Sequence, residues 1–235
     1  MATRDKMIIT IDGPAGAGKS TVARAVAKKL GLPYLDSGSL YRAIAWKLDG
    51  AGIQPDEEMK IKLTLAAFHL ELKNGHLYAD GKDISAEIRT PRVDATVSAY
   101  AARQAVREAL EGIERAQAKA EGLVADGRDM GTVVFPDAGL KIFLTANDRV
   151  RAERRYRERL EKGESADFEA VLKQVQERDH YDMTREIAPL RPASGCVILD
   201  SSDMTADEVV EAIASLARQL MSQQAAEQNG KAEAL

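Results

Sequence analysis

The stretch Met7-Ile8-Ile9-Thr10-Ile11-Asp12-Gly13-Pro14-Ala15-Gly16-Ala17-Gly18-Lys19-Ser20-Thr21 decides how the rest of the chain is read. Met7 to Ile11 is an apolar, β-branched run of the kind a buried parallel strand shows. Gly13 to Ser20 follow at once and match G-x-x-x-x-G-K-[ST], and a helical pattern runs from Lys19 to Leu30. In that order the three pieces make an anion cradle. The glycines let successive backbone N–H groups converge, and the helix N-terminus adds its positive dipole end. Lys19 supplies a point charge to β- and γ-phosphates, and the Ser20 hydroxyl is placed to ligate Mg²⁺. A chance glycine turn would not come flanked by the strand and helix the motif requires. The loop therefore marks a nucleoside triphosphate site, without saying what is done with the triphosphate.

Further apolar runs repeat the strand signature: Leu123-Val124-Ala125, Leu140 to Leu144, Cys196 to Leu199, and a weaker Pro33-Tyr34-Leu35. Helical stretches separate them, at Arg103 to Ala120, Arg149 to Lys162 and Asp207 to Met221. Alternation of this kind predicts an α/β fold: a mostly parallel sheet with helices on both faces and chemistry beyond the strands' carboxyl ends. Three strands end in acids, Asp12, Asp126 and Asp200; for Asp200 a plain turn is the preferred reading. One segment departs from the pattern. FHLELKNGHLYADGKDIS, residues 68–85, places Asn74-Gly75 and Asp80-Gly81 between short alternating runs, which is hairpin chemistry. It predicts an antiparallel insert inside a helical lobe. The polar tail from Gln223 shows no apolar stripe and reads as a frayed end.

Composition narrows the class. The chain has 235 residues, 45% hydrophobic and 30% charged, as ordinary globular domains do, so wholesale disorder is excluded. A net charge of -4 gives no broad basic field for a nucleic-acid polymer. The 33 cationic residues favour arginine, 19 to 14, which suits bidentate recognition of phosphate or carboxylate. One cysteine, Cys196, allows no intrachain disulfide and reads as a small buried hydrophobe. No apolar stretch is long enough to span a membrane, and the first residues, Met-Ala-Thr-Arg-Asp-Lys, show no signal-peptide core. The expectation is a cytoplasmic protein with no membrane association. His69, His76 and His180 have no metal-ligand spacing, and Trp46 reads as packing.

Three further clusters look like ligand chemistry. Asp36-Ser37-Gly38-Ser39-Leu40-Tyr41-Arg42 follows the weak second strand; helix capping accounts for Ser37 equally well but leaves Arg42 unexplained. Asp126-Gly127-Arg128-Asp129 ends the Leu123 strand, where a permissive glycine between charges suits a binding loop better than a plain turn. Arg178, Asp182 and Arg185 share one helix face, with a solvated ion pair as fair competitor. Arg151, Arg155 and Arg159 make an all-positive row at i,i+4 spacing, a repulsion that predicts an approaching polyphosphate. On that reasoning, trimming the row would raise the stability of the chain alone.

With these residues in view, the sequence resembles the bacterial cytidylate kinases, members of the nucleoside monophosphate kinase family, over nearly its whole length. The matching segments are ITIDGPAGAGKST, LDSGSLYR, DISAEIRT, VREAL, ADGRDMGTVVFPDAGLKIFL and ERDHYDMTR with IAPL after it. The resemblance implies a five-stranded phosphate-loop core, a lid and a monophosphate-binding lobe carrying the small insert. It implies a core of 1–36, 121–148 and 188–222, a lobe of 37–120, a lid of 149–187 and a flexible tail of 223–235. It implies transfer of the ATP γ-phosphoryl group to CMP or dCMP with Mg²⁺, by a monomer by default. By matching motif, Gly13, Pro14, Ala15, Gly16, Ala17, Gly18, Lys19, Ser20 and Thr21 would hold the ATP phosphates, with Arg151, Arg154 and Arg155 in the lid. Ser37, Arg42 and Arg107 would position the CMP phosphate, with Arg89 as a further candidate. Arg128, Asp129 and Ser98 would read the acceptor, Asp129 and Ser98 accepting from the cytosine amino group. Arg178 and Asp182 would hold the sugar and Arg185 the reacting phosphates. Some family members carry Gly where this chain has Ser20, so metal ligation there is no family-wide rule.

Two other classes remain open at this stage. One is a phosphate-loop kinase for another small acceptor, against which the Asp129 carboxylate speaks. The other is a nucleotide-dependent switch, for which the sequence offers no Asn-Lys-x-Asp guanine motif.

Overall fold

The computed structural model describes residues 7–232 apart from 74, 119, 120 and 162. Expectations that touch Asn74, the ends of two helices, the first six residues and the last three fall outside it. The chain opens β1 (Ile8–Asp12), α1 (Lys19–Leu30), β2 (Tyr34–Asp36), α2 (Ser37–Gly50), α3 (Glu58–Ala66). It continues with short strands β3 (Leu70–Lys73), β4 (His76–Ala79) and β5 (Lys82–Asp83), then α4 (Pro91–Ala101) and α5 (Gln104–Ala116). After β6 (Leu123–Gly127) comes a single π-helical turn, Met130–Val134, then β7 (Leu140–Thr145), α6 (Asp148–Glu161), α7 (Phe168–Thr184), β8 (Val197–Asp200) and α8 (Ala206–Ala232).

Five strands form one parallel sheet in the order β2-β6-β1-β7-β8, as the strand–helix alternation predicts. Registers align the carboxyl ends: Asp12 lies opposite Gly127 and Phe143, and Asp36 opposite Asp126. The glycine-rich loop leaves β1 tight against β7. A Cβ on Gly13, whose φ is +151°, would lie 1.9 Å from the Leu144 carbonyl oxygen, so only glycine fits that corner. Val22, Ala23 and Val26 of α1 and Val209, Val210 and Ile213 of α8 bury one sheet face. The other face shares its apolar interior with the lobe, where Leu35 and Leu123 join Leu40, Ile44, Ile84, Ile88 and Leu110 in one cluster. The insert is a three-stranded antiparallel sheet, β3-β4-β5. Asp80 and Gly81 turn its second hairpin with φ of 50° and 83°, the positive pair a two-residue turn demands.

Two expectations are corrected. β8 is an edge strand, so Ile198 is 63% exposed and Cys196, just before it, is only half-buried. The stretch from Gln223 to Ala232 continues α8 rather than fraying at once, since Ala, Gln, Glu and Lys favour helix even without an apolar stripe. Among the described residues no helix is long and apolar enough to cross a membrane.

Candidate active site

Beyond the carboxyl ends of β1, β2 and β6 lies a cleft of about 420 Å³. Ala15, Gly16, Gly18, Lys19, Ser20 and Thr21 line it together with Ser37, Arg42, Arg89, Ser98, Arg107, Arg128, Asp129, Arg155, Arg178, Asp182 and Arg185. Residues drawn from eight separate segments of sequence thus meet in one cavity. Gly13, Pro14, Ala17, Arg151 and Arg154 stand outside the lining. Asp36, Tyr41 and Asp126, which the sequence puts inside ligand-like clusters without giving them individual roles, line it as well. The signal for the two acids was available: both end strands, and parallel pairing of those strands sets them side by side.

At the glycine-loop end, Lys19 is 6% exposed and its Nζ donates to the Pro14 carbonyl at 2.7 Å. Burial, then the positive charge of Arg128, holds the ammonium well below its ordinary pKa. An incoming polyphosphate supplies the negative charge that site lacks. The Ser20 hydroxyl donates to Asp126 Oδ2 at 2.8 Å, and the Tyr34 hydroxyl donates to Oδ1 at 2.7 Å. Burial and the neighbouring Asp36 push the Asp126 carboxyl up to about 6. A serine hydroxyl beside crowded carboxylates is a hard-oxygen donor set, which fits Mg²⁺ and would be relieved by it.

At the other end charged side chains interlock, the innermost of them buried. Arg107 pairs with Asp129 Oδ2, and Arg185 approaches Asp129 Oδ1 at 3.8 Å. Arg128 Nε donates to Asp182 Oδ2 at 3.0 Å, Arg89 to Asp36 Oδ2 at 3.1 Å, and Arg42 pairs with Asp94. The Ser37 hydroxyl donates to the Asp126 carbonyl at 2.7 Å, while the cap of α2 is Asp36, accepting from Ser39 N–H at 3.0 Å. Capping therefore does not explain Ser37. Arg178 Nε is buried with no hydrogen-bond partner among the described residues, and burial with Arg128 nearby lowers this guanidinium to about 10. A cationic group so placed is aimed at an anion.

Glu114 on α5 stands behind this network, 1% exposed. Burial, then the charge of Asp129, raises its carboxyl from 4.5 to about 8. Between those values the folded chain keeps a proton that the unfolded chain has released. Stability from this group is full below pH 4.5 and lost as pH rises to about 8. Glu114→Gln should thus match the parent in Tm near pH 4.5 and exceed it at pH 9 by several degrees, at ~2–4 °C per kcal/mol. Thermal melts across that range test it; parallel curves at all pH values would mean that Glu114 carries no shift.

Two members of the α6 arginine row meet carboxylates, contrary to the sequence-based expectation. Arg151 is 6% exposed; its Nε donates to the Ala146 carbonyl at 2.8 Å and its Nη1 to the Ala15 carbonyl at 3.0 Å, and it pairs with Asp179 at 2.5 Å. Arg155 meets Asp94 at 3.5 Å, and Arg159 donates to Gln174 at 2.8 Å. Arg154 donates to the Ser201 carbonyl at 2.7 Å. The partners sit on other elements, which i,i+4 spacing cannot reveal. The predicted sign for Arg151 reverses: Arg151→Ala strands buried Asp179 and should destabilise by about 3–5 kcal/mol. Denaturant melts of Arg151→Ala with and without Asp179→Ala check this, the double variant costing less than the sum.

Known proteins share both sequence and extent with this chain. A family model described as cytidylate kinase matches residues 9–219. The cytidylate kinase of Thermosipho africanus is 47% identical over 205 residues, 87% of this chain and 91% of its own length. That of Ralstonia nicotianae is 46% identical over 213 residues, 91% and 93% of the two chains. Among solved structures, shikimate kinase from Acinetobacter baumannii in complex with shikimate is a distant likeness, with 18% identity and a TM-score of 0.42 over 93% and 96% of the chains.

Proposed function

The chain belongs to the cytidylate kinase family, and from that premise we propose that it transfers the γ-phosphoryl group of ATP to CMP or dCMP, releasing ADP and the diphosphate. The observation that carries the reading is one cleft holding both the glycine loop with Lys19 and the buried Arg107–Asp129–Arg185 cluster. Joining two phosphates requires positive charge around both and exclusion of water that would accept the phosphoryl group. Lys19 and the backbone N–H groups of the loop face the donor; Ser37, Arg42, Arg89 and Arg107 align the acceptor phosphate. Arg178 and Asp182 hold the sugar, and Arg185 with Arg128 meets the reacting oxygens. Asp129 and Ser98 accept from the base amino group. An acceptor phosphate oxygen is already ionised near neutral pH, so no general base is required.

Ser20, backed by Asp126, would hold the Mg²⁺ that accompanies ATP and shields the charge of its phosphates. In this reading 149–187 closes as a lid over a core of 1–36, 121–148 and 188–222, and 37–120 receives the acceptor. Arg155, which lines the cleft, reaches the donor phosphates directly. Arg151 and Arg154 support that contact by fixing the loop and the base of α6. The proposal extends to a cytoplasmic monomer acting on small nucleotides, with neither nucleic-acid polymer nor membrane as partner, in line with its net charge of -4.

The test is ADP formation with Mg-ATP and a panel of monophosphates. Rapid turnover with CMP and dCMP is the expected result. Rapid turnover with a different acceptor, or slow hydrolysis indifferent to acceptor, would overturn it in favour of another kinase or a nucleotide switch.

A further inference from the structure

Asp12 ends β1, and the reaction outlined above makes no use of it. It is 4% exposed, and both of its carboxylate oxygens are taken by the main chain far along the sequence. Met130 N–H donates to Oδ1 at 2.9 Å and Gly131 N–H to Oδ2 at 2.7 Å. These are the first two N–H groups of the π-helical turn Met130–Val134, whose N-cap residue is Asp129. Such leading N–H groups have no partner within a helix, and an aspartate at the N-cap ordinarily accepts from the second or third of them. Asp129 makes no side-chain capping bond. Its carboxylate faces Arg107 and Arg185 instead. The approach of β1 to the turn is close: a Cβ on Gly131 would lie 2.8 Å from Thr10 Oγ1 and 3.3 Å from Asp12 Oδ2, so Gly131 admits the contact.

We propose that Asp12 is a positioning residue that caps the Met130–Val134 turn from the neighbouring strand and thereby frees the Asp129 carboxylate to face the acceptor. The N–H of Gly131 is the one that Asp129 would otherwise take. With Asp12 occupying it, that donor is closed to Asp129, whose carboxylate takes the arginines of the cleft as its partners. The arrangement is held against the cost of burial, which pushes the Asp12 carboxyl up to about 7 while the two N–H bonds pull it down. The consequence for the reaction rests on the reading of Asp129 as the group that recognises cytosine.

The experiment uses Asp12→Ala, Asp129→Asn and the double variant, with kcat/KM for CMP and UMP and KM for ATP at pH 8, plus a crystal structure of Asp12→Ala. Asp12→Ala should lower the CMP-to-UMP preference about tenfold or more. KM for ATP should hold, although Asp12 adjoins Gly13 and general damage would strike that loop first. In the double variant the preference should equal that of Asp129→Asn alone, since both act through one carboxylate. In the crystal, the Asp129 carboxylate should have left Arg107 for the Gly131 N–H. A wild-type preference in Asp12→Ala where Asp129→Asn has lost it, or Asp129 still seated on Arg107, overturns the inference. If Asp129→Asn itself keeps the wild-type preference, the base-reading role fails, and the crystallographic position of Asp129 decides the inference alone. Should Asp12→Ala not fold, Asp12→Asn keeps one acceptor and opposes the other N–H with its own amide, and the same measurements decide.

Discussion

Lys19→Ala is expected to lower kcat by about a thousandfold or more while the chain stays folded. The magnitude follows from where the ammonium sits. It opens α1 at the end of a loop whose glycines exclude side chains, and it is the sole loop side chain able to carry positive charge onto the transferring phosphates. Burial and Arg128 hold its pKa down, so the site gains most from this charge when an anion occupies it. The fold loses little, since the one hydrogen bond given up is that to the Pro14 carbonyl, worth about 1 kcal/mol. The measurement pairs steady-state kcat at saturating Mg-ATP and CMP with a thermal melt. A folded variant turning over near the parent rate would remove this loop from the chemistry. Arg cannot substitute, because its planar fork does not fit a cradle shaped for a point charge.

What the sequence revealed and what it hid divide along one line. Features encoded by neighbours in sequence were legible: the strand–loop–helix of 8–30, the Asp80-Gly81 hairpin, and the Gly127-Arg128-Asp129 corner. Features encoded by neighbours in space were not. The row Arg151, Arg155 and Arg159 looked repulsive because Asp179 and Asp94, which meet two of its members, lie on α7 and α4. Cys196 and Ile198 looked buried because an apolar run does not say whether its strand lies at a sheet edge. Asp12 looked like one more strand-end acid, and its partners stand 118 and 119 residues away. Asp200 was read correctly as a turn acid, its Oδ1 accepting from Ser202 N–H at 2.9 Å, because that contact is two residues long.

The Asp129→Asn variant should lose much of the preference for cytosine over uracil, with kcat/KM for CMP falling by about a hundredfold and that for UMP by less. Cytosine offers an amino donor where uracil offers a carbonyl acceptor, so an ionised carboxylate favours one base and opposes the other. Mispairing at a buried acceptor costs about 1–3 kcal/mol, enough for the change in preference. Burial raises the Asp129 carboxyl, and Arg107 and then Arg185 act to keep it ionised. Those two arginines are why UMP turnover falls as well. An amide cannot satisfy both guanidinium groups, and each is left short of charge in a site that is 8% exposed or less. Activity therefore drops through Arg107 and Arg185 for either acceptor, while the preference drops only through the base. The two contributions separate in one experiment. Rates for both acceptors falling in the same proportion would leave Asp129 as the anchor of its arginines, with cytosine read elsewhere in the cleft. Ser98 is then the next side chain to change, being a polar cleft residue of α4 whose replacement by Ala removes an acceptor without unpairing a buried charge.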